Sequence, residues 1–119
     1  MKYILIIALL VVGVFGFEIK VNNKIKSINY EYNGDKYVTQ TNKYFTNDTN
    51  LIISFNKNEN ELIKEFELKY NLVLIKKLVT GSYIYKSNEN ILDKLDEILQ
   101  DDDNIKSIFP LWKSKMQRN

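Results

Sequence analysis

Alternating apolar and polar residues dominate the first third of the chain and predict a β-rich start. Residues 17–21 alternate and residues 24–32 continue with strand-like chemistry, so each run predicts a half-buried strand. The Asn22-Asn23 pair between them is a turn candidate. Asn33-Gly34 is a strong hairpin signal because both residues tolerate a positive φ, and residues 36–39 would return.

The stretch 51–112 has a different pattern, in which strand-like runs flank two segments with helical spacing. Leu51–Phe55 is apolar on both faces except at Ser54, which is typical of an inner strand. Further strands are predicted at residues 72–77, 82–85 and 105–109. This order predicts an α+β fold: a ferredoxin-like βαββαβ unit, an antiparallel sheet with two helices on one face, preceded by the β-hairpin. The Asn- and Thr-rich stretch 41–50 is predicted to be a linker.

The first predicted helix has a start signal and a stop signal. Asn58 stands three residues before Glu61, a capping-box arrangement in which each side chain can satisfy a backbone amide. Asn71 is a suitable stop. The apolar positions between them have helical spacing: Leu62, Ile63, Phe66 and Tyr70.

The second predicted helix starts at Ser87 or Asn88, either of which can cap it. Three acidic residues follow its last apolar turn and oppose the helix dipole, so we expect the helix to end by Leu99 or Gln100. The strand after it should end at Pro110, the one proline of the chain. The helix presents one apolar face, made of Ile91, Leu92, Leu95, Ile98 and Leu99.

The composition excludes most enzyme chemistry. The 119 residues include no histidine and no cysteine, so Ser-His-Asp and Cys-His catalysis and the usual zinc sites are impossible. Carboxylate chemistry remains open in principle. We therefore predict a protein that is not an enzyme and that uses no cofactor and no metal.

Residues 1–16 have the charge, length and small-residue exit of a signal peptide, which predicts export to the periplasm or outside the cell. An uncleaved membrane anchor is the alternative, although 15 apolar residues are fewer than the roughly 20 that span a bilayer. Removing this segment removes one of 17 basic residues, Lys2, and leaves 16 against 15 acidic residues. Such a balance argues against nucleic acid as a partner, and against an RNA-binding domain of this shape.

The predicted fold leaves one sheet face open. Two helices cover only one face of a four-stranded sheet, so the other should carry either Ile52 and Ile84 or the pair Tyr83 and Tyr85. An open face with apolar and aromatic residues is a candidate docking surface. Alternatively, the N-terminal hairpin covers it. Trp112 is either an anchor for the following tail or packed against its own domain.

The order of these residues resembles the propeptide domain of subtilisin-like serine proteases, which also occurs as free-standing protease inhibitors. Leu51–Phe55 resembles the opening strand of that family, and residues 70–72 followed by 76–78 resemble the helix exit and second strand. Residues 103–110 are similar to the closing strand. The Tyr-rich hairpin at 29–37 also resembles a segment that precedes this domain in some bacterial members.

The resemblance implies a partner and a mechanism. In that family the open sheet face docks on the protease, and the C-terminal tail lies in the substrate cleft like a bound product. Here residues 113–119 would be the tail, and its cleft-binding part would be Lys115, Met116, Gln117, Arg118 and Asn119. The domain would inhibit the protease and act as its folding chaperone. Residues 1–16 would be the signal, 17–50 the hairpin and linker, and 51–112 the domain.

No protease follows in this sequence, so the resemblance leaves two versions: a stand-alone inhibitor or folding helper of a separately encoded protease, or a remnant of an interrupted protease gene. The competing hypothesis is a periplasmic or membrane-tethered ferredoxin-like module that binds another protein or a small ligand. That module would use the sheet face and not the tail.

Overall fold

The computed structural model describes residues 15–34, 36–41 and 43–114. These residues form nine strands and two helices. The strands are β1 (Phe15–Val21), β2 (Lys24–Asn33), β3 (Lys36–Thr39), β4 (Lys43–Phe45), β5 (Leu51–Phe55), β6 (Leu72–Lys77), β7 (Tyr83–Ser87), β8 (Ile105–Pro110) and β9 (Lys113–Ser114). The helices are α1 (Asn60–Lys69), between β5 and β6, and α2 (Ile91–Asp101), between β7 and β8.

The predicted ferredoxin-like fold is wrong. The strands and helices of residues 51–110 do occur in the predicted order, but they are not a small four-stranded unit. All the strands of the described residues form one antiparallel sheet in the order β6-β7-β5-β8-β1-β2-β3-β4-β9. The N-terminal strands continue this sheet from the edge of β8 and curl it into a half-barrel, so they are not a separate hairpin that precedes a domain.

The junction between β8 and β1 depends on the turn after β1. The turn residues Asn22 and Asn23 have positive φ angles of 52° and 67°, which asparagine tolerates better than most residues. The Asn23 amide donates to the Lys106 carbonyl at 2.8 Å, and the Asn22 amide donates to Ser107 Oγ at 3.0 Å. Because these partners belong to β8, the predicted turn also attaches β1 to the rest of the sheet.

The short connection from β8 to β9 requires the sheet to curl. Only Leu111 and Trp112 separate these strands, yet β9 lies five places from β8 in the strand order, where it pairs with β4. A link of this length spans about 10 Å, whereas five strand spacings in a flat sheet need about 24 Å. The sheet must therefore bend until β4 returns close to the end of β8.

The core lies on the inner side of this curled sheet, where both helices pack. Near α1, Phe55 contacts Phe66 edge to face, with ring centroids 4.9 Å apart. The N-terminal strands add a second aromatic group, in which the Tyr37 and Phe45 rings stack at 4.9 Å and Phe17 meets Phe45 at 5.4 Å. Buried residues of both groups belong to one continuous cluster, so the chain has a single core.

The helix ends differ from the predictions. The N-cap of α1 is Glu59 and not the predicted Asn58, and the Glu59 side chain makes no capping hydrogen bond. Asn58 Oδ1 accepts instead from the Tyr83 hydroxyl at 2.7 Å. Asn90 caps α2, since its Oδ1 accepts from the amide of Leu92 at 2.9 Å. The helix then continues to Asp101, beyond the predicted end. The predicted linker 41–50 contains β4, so that prediction is wrong in part.

The predicted helix stop and hairpin turn are confirmed. Asn71 follows α1 with a φ of 55°. In the β6–β7 turn, Gly81 has a φ of 94°, which glycine adopts without strain. Gly34 has a φ of 69° in the β2–β3 hairpin. Most of the predicted signal segment lies outside the described residues, and its last two residues, 15 and 16, belong to β1. Neither α1 nor α2 is long and apolar enough to cross a membrane.

Candidate binding surfaces

The outer face of the sheet, opposite the helices, carries an apolar row across three central strands. Ile52 on β5 is in register with Ile84 on β7 on one side and with Phe109 on β8 on the other. Opposite residues in adjacent antiparallel strands point to the same face, so the three side chains stand side by side. All three are half-buried. We call Ile84, Ile52, Phe109 and the adjoining Trp112 the outer row.

Trp112 extends the outer row beyond the end of β8. Its ring stacks on that of Phe109, with centroids 6.1 Å apart and planes inclined by 20°. Lys43 Nζ lies 5.3 Å from the Trp112 ring centroid, a cation–π contact with β4. Trp112 is therefore half-buried against its own domain, as one of the two sequence hypotheses expected, and it remains part of the outer surface.

Tyr83 and Tyr85 lie on the inner face, beneath α1. Tyr85 is fully buried and donates a hydrogen bond of 2.7 Å to Glu67 Oε2. Burial and this acceptor raise the pKa of the Tyr85 hydroxyl well above its ordinary value. Of the two alternative sets in the sequence prediction, Ile52 and Ile84 thus face away from the helices, and the tyrosines belong to the core.

The N-terminal strands do not stack on the outer row. They join the sheet edge to edge through the pairing of Lys20 with Ile108, and so enlarge the sheet laterally. The sequence had left open whether the hairpin would cover this face. The strand order shows that β1 pairs with the edge of β8, which offers unpaired backbone groups, and that β2 follows on the far side of β1.

A polar groove of about 420 Å³ borders the outer row at the end of β5 and the start of β7. Ser54 and Ser82 share a hydrogen bond of 2.7 Å between their Oγ atoms, and Phe109 forms one wall. Hydroxyl and amide groups at the rim of an apolar surface can satisfy polar groups of a bound protein.

A second groove, of about 510 Å³, lies between the side of α1 and the segment after α2. Its apolar wall is formed by Phe55, Leu62 and Phe66, and charged residues of both signs, including Lys69 and Asp102, line its mouth. No cluster of carboxylates that could hold a metal ion occurs among the described residues. This groove can accept an apolar group, but it assembles no nucleophile and base.

The predicted tail is only partly described. Residues 113 and 114 form β9, in which Lys113 pairs with Tyr44 and Ser114 with Lys43 of β4. The first two residues of the predicted tail are thus part of the sheet. The predicted cleft-binding residues, Lys115 to Asn119, lie outside the described residues.

Sequence reasoning missed Phe109 and Trp112 as members of the outer row. Strict alternation of buried and exposed residues would have indicated which face Phe109 occupies. In β8 this alternation fails, because the neighbours Ser107 and Ile108 are both buried. The cross-strand register of Ile52 with Phe109 is what places them on the outer face. Trp112 was a visible candidate, because it is the one tryptophan and follows the last strand.

Comparison of this chain with protein-family models, with curated proteins and with solved structures found no match.

Proposed function

We propose that this chain is a non-catalytic protein-binding domain that uses the outer row as its contact surface. The observation that carries the proposal is the in-register alignment of Ile84, Ile52 and Phe109 on a face opposite both helices. Such a row offers contiguous apolar area with aromatic groups at one end, the kind of residue that dominates binding energy at interfaces. Its polar border supplies the hydrogen-bonding rim that protein interfaces have.

A subtilisin-like serine protease is the partner that we propose for this surface. The residues at 51–55 and 103–110 that resemble the protease propeptides form β5 and the strand next to it, β8, in the middle of the sheet. Those two strands supply Ile52 and Phe109 to the outer row. The fold that the resemblance implied is not the fold of this chain, so the proposal rests on this surface and on the residues after β9.

The outer row and the proposed inhibitory tail are close in the chain. Trp112 ends the row and Lys113 begins β9, after which residues 115–119 follow. A tail that enters a protease cleft becomes a substrate unless a second contact holds the domain in place. Joining the two contacts in one chain raises the effective concentration of the tail to roughly the millimolar range. We therefore expect inhibition to need both parts.

The test is inhibition of a purified subtilisin-type protease by the purified protein and three variants. Trp112→Ala should weaken inhibition about 30-fold, because aromatic anchors of interfaces contribute around 2 kcal/mol or more. Deletion of residues 115–119 should remove slow, tight inhibition. Leu68→Ala is the control, since Leu68 is an exposed apolar residue on α1, on the side of the sheet opposite the outer row.

Two outcomes would reject parts of this proposal. No inhibition by a folded protein rejects the protease partner, and equal inhibition by the wild type and the tail deletion rejects the tail mechanism. If another exported protein binds the chain and Trp112→Ala weakens that complex while the tail deletion has no effect, the module without a protease partner is correct. The width of the sheet favours this second candidate, because it exceeds what the propeptide resemblance implied.

A further inference from the structure

One edge of the sheet is both apolar and unpaired. Strand β6 stands at the end of the strand order and pairs only with β7 among the described strands. Its other side therefore presents a row of free N–H and C=O groups. Exposed apolar side chains occur on β6 and on the segments that precede and follow it: Leu68 near the end of α1 (83% exposed), Val73 (55%), Leu74 (43%) and Ile75 (52%) on β6, and Val79 (105%) in the turn after it.

The usual protection of an edge strand is confined to one end of β6. Natural edges are blocked by lysine, by proline, by bulges or by short length. Here Lys76 and Lys77 occupy the last two positions, and the register shift against β7 falls after Leu74. The first part of the strand, from Leu72 to Leu74, pairs regularly with β7. The six residues of β6 include no proline, and apolar side chains occur on both faces of the strand.

We propose that this edge pairs with the same edge of a second copy, in an antiparallel two-fold dimer. A parallel arrangement would set lysines against lysines. An antiparallel arrangement centred on Val73 pairs the regular Leu72–Leu74 parts of the two copies with each other, ends before the register shift, and leaves the two lysine pairs at opposite ends. The charge pattern of β6 thus selects the two-fold pairing, in which one surface is its own complement.

The patch is of moderate size. The five exposed apolar side chains offer on the order of 500 Å² per copy, similar to the largest patches that monomers carry, which often serve as contact sites. The contact is therefore smaller than the roughly 800 Å² per partner of a standard interface, and we expect a weak dimer. The other edge of the sheet is β9, which has two residues and is too short to template further pairing. Assembly should therefore stop at two copies.

The dimer would present two outer rows on one side. A two-fold axis perpendicular to the sheet keeps the outer face of both copies on the same side, so a single continuous sheet would display both rows. Such an arrangement would strengthen binding to a partner that offers two sites. The pairing itself does not depend on the proposed function.

Sedimentation velocity of the purified protein over roughly 1 to 200 μM tests the proposal, because a small interface is expected to bind in the micromolar range. The single variant Val73→Lys should weaken self-association at least about ten-fold. Ile25→Lys is the matched control, because it places one lysine at an apolar position that is 51% exposed on β2, away from the β6 edge. Backbone amides of β6 should also exchange more slowly as the concentration rises.

A protein that stays monomeric over this range overturns the proposal. So does a dimer that both lysine variants weaken equally or not at all. A monomer whose β6 amides become protected only when another protein is added assigns the edge to that partner instead, and likewise overturns it. Circular dichroism of each variant separates lost association from lost folding.

Discussion

Two fully buried tyrosines differ in a single hydrogen bond. The Tyr85 hydroxyl donates to Glu67, whereas the Tyr70 hydroxyl is the one buried side-chain polar atom without a hydrogen-bond partner among the described residues. Folding removes water from both hydroxyls. Tyr85 regains a carboxylate acceptor, whereas the charged group beside Tyr70 is Lys69, whose Nζ lies 5.3 Å from the Tyr70 ring centroid. The two positions thus form a matched pair for measuring what the carboxylate acceptor contributes.

We expect Tyr85→Phe to lower the free energy of unfolding by about 1–3 kcal/mol, because a hydrogen bond to a charged acceptor is lost. Tyr70→Phe should leave stability unchanged or raise it by up to about 1 kcal/mol, because it removes an unsatisfied buried group. Urea unfolding of both variants measures the difference. Equal destabilisation by the two substitutions would contradict this account.

The same tyrosine predicts a loss of stability at alkaline pH. The folded-state pKa of Tyr85 is raised by burial and by Glu67, from an unfolded value near 10. The contribution of the neutral Tyr85 hydroxyl to the free energy of unfolding is therefore fully present below about pH 10. This contribution is lost as the pH rises from the unfolded-state pKa towards the folded-state pKa. Unfolding free energies measured between about pH 8 and pH 11 should fall less steeply for Tyr85→Phe than for the wild type. Identical slopes would exclude Tyr85 as a source of the decline.

At the scale of the elements, α2 contains a charge that its apolar pattern did not predict. Lys94 is 2% exposed, and its Nζ lies 3.3 Å from Glu89 Oε1 and 3.1 Å from Glu97 Oε1. The stem lies on the buried side of the helix, while both carboxylates remain about half exposed. The ammonium group is thus compensated by partners that water still reaches.

Removing the carboxylates should cost more than removing the lysine. The double variant Glu89→Gln with Glu97→Gln leaves a buried charge without an anionic partner, and we expect it to lower the free energy of unfolding by about 2 kcal/mol. Lys94→Met keeps the stem volume and removes the charge, so it should be close to neutral. Thermal unfolding compares them directly, and a larger loss for Lys94→Met would refute the reasoning.

The elements that were predictable are those with strong local patterns. The strand β6 has the predicted bounds, and both helices lie where apolar residues recur at helical spacing. The caps were wrong because they depend on distant partners: Asn58 bonds to Tyr83, which is 25 residues away. The strands β4 and β9 were not predicted, because two or three residues in polar surroundings carry no periodicity.

At the scale of the molecule, the sheet order could not be read from local patterns. The pairing of β1 with β8 joins residues such as Lys20 and Ile108 at opposite ends of the chain, and no turn signal specifies it. The edge of β8 pairs with β1, and the strands that follow β1 extend the expected four-stranded sheet into a wider, curled sheet. The outer row was predictable in part, since Ile52 and Ile84 were candidates, but choosing them over the tyrosines required the face that the helices cover.

The last strand should act as a latch that keeps the curled sheet closed. β9 pairs with β4, and Trp112 beside it lies under Lys43, so both contacts hold the end of the chain against the far edge of the sheet. A truncation after Trp112 removes β9, and we expect it to lower the free energy of unfolding by about 1–2 kcal/mol, since two backbone pairs and their ordering of β4 are lost. It should also change the fluorescence of Trp112, the one tryptophan of the chain, by increasing its exposure to water.

A truncation after Ser114 is the control, because it retains β9 and should leave both the free energy of unfolding and the fluorescence unchanged. If both truncations behave alike, β4 and the curl are maintained by the aromatic core around Phe45 and not by the latch.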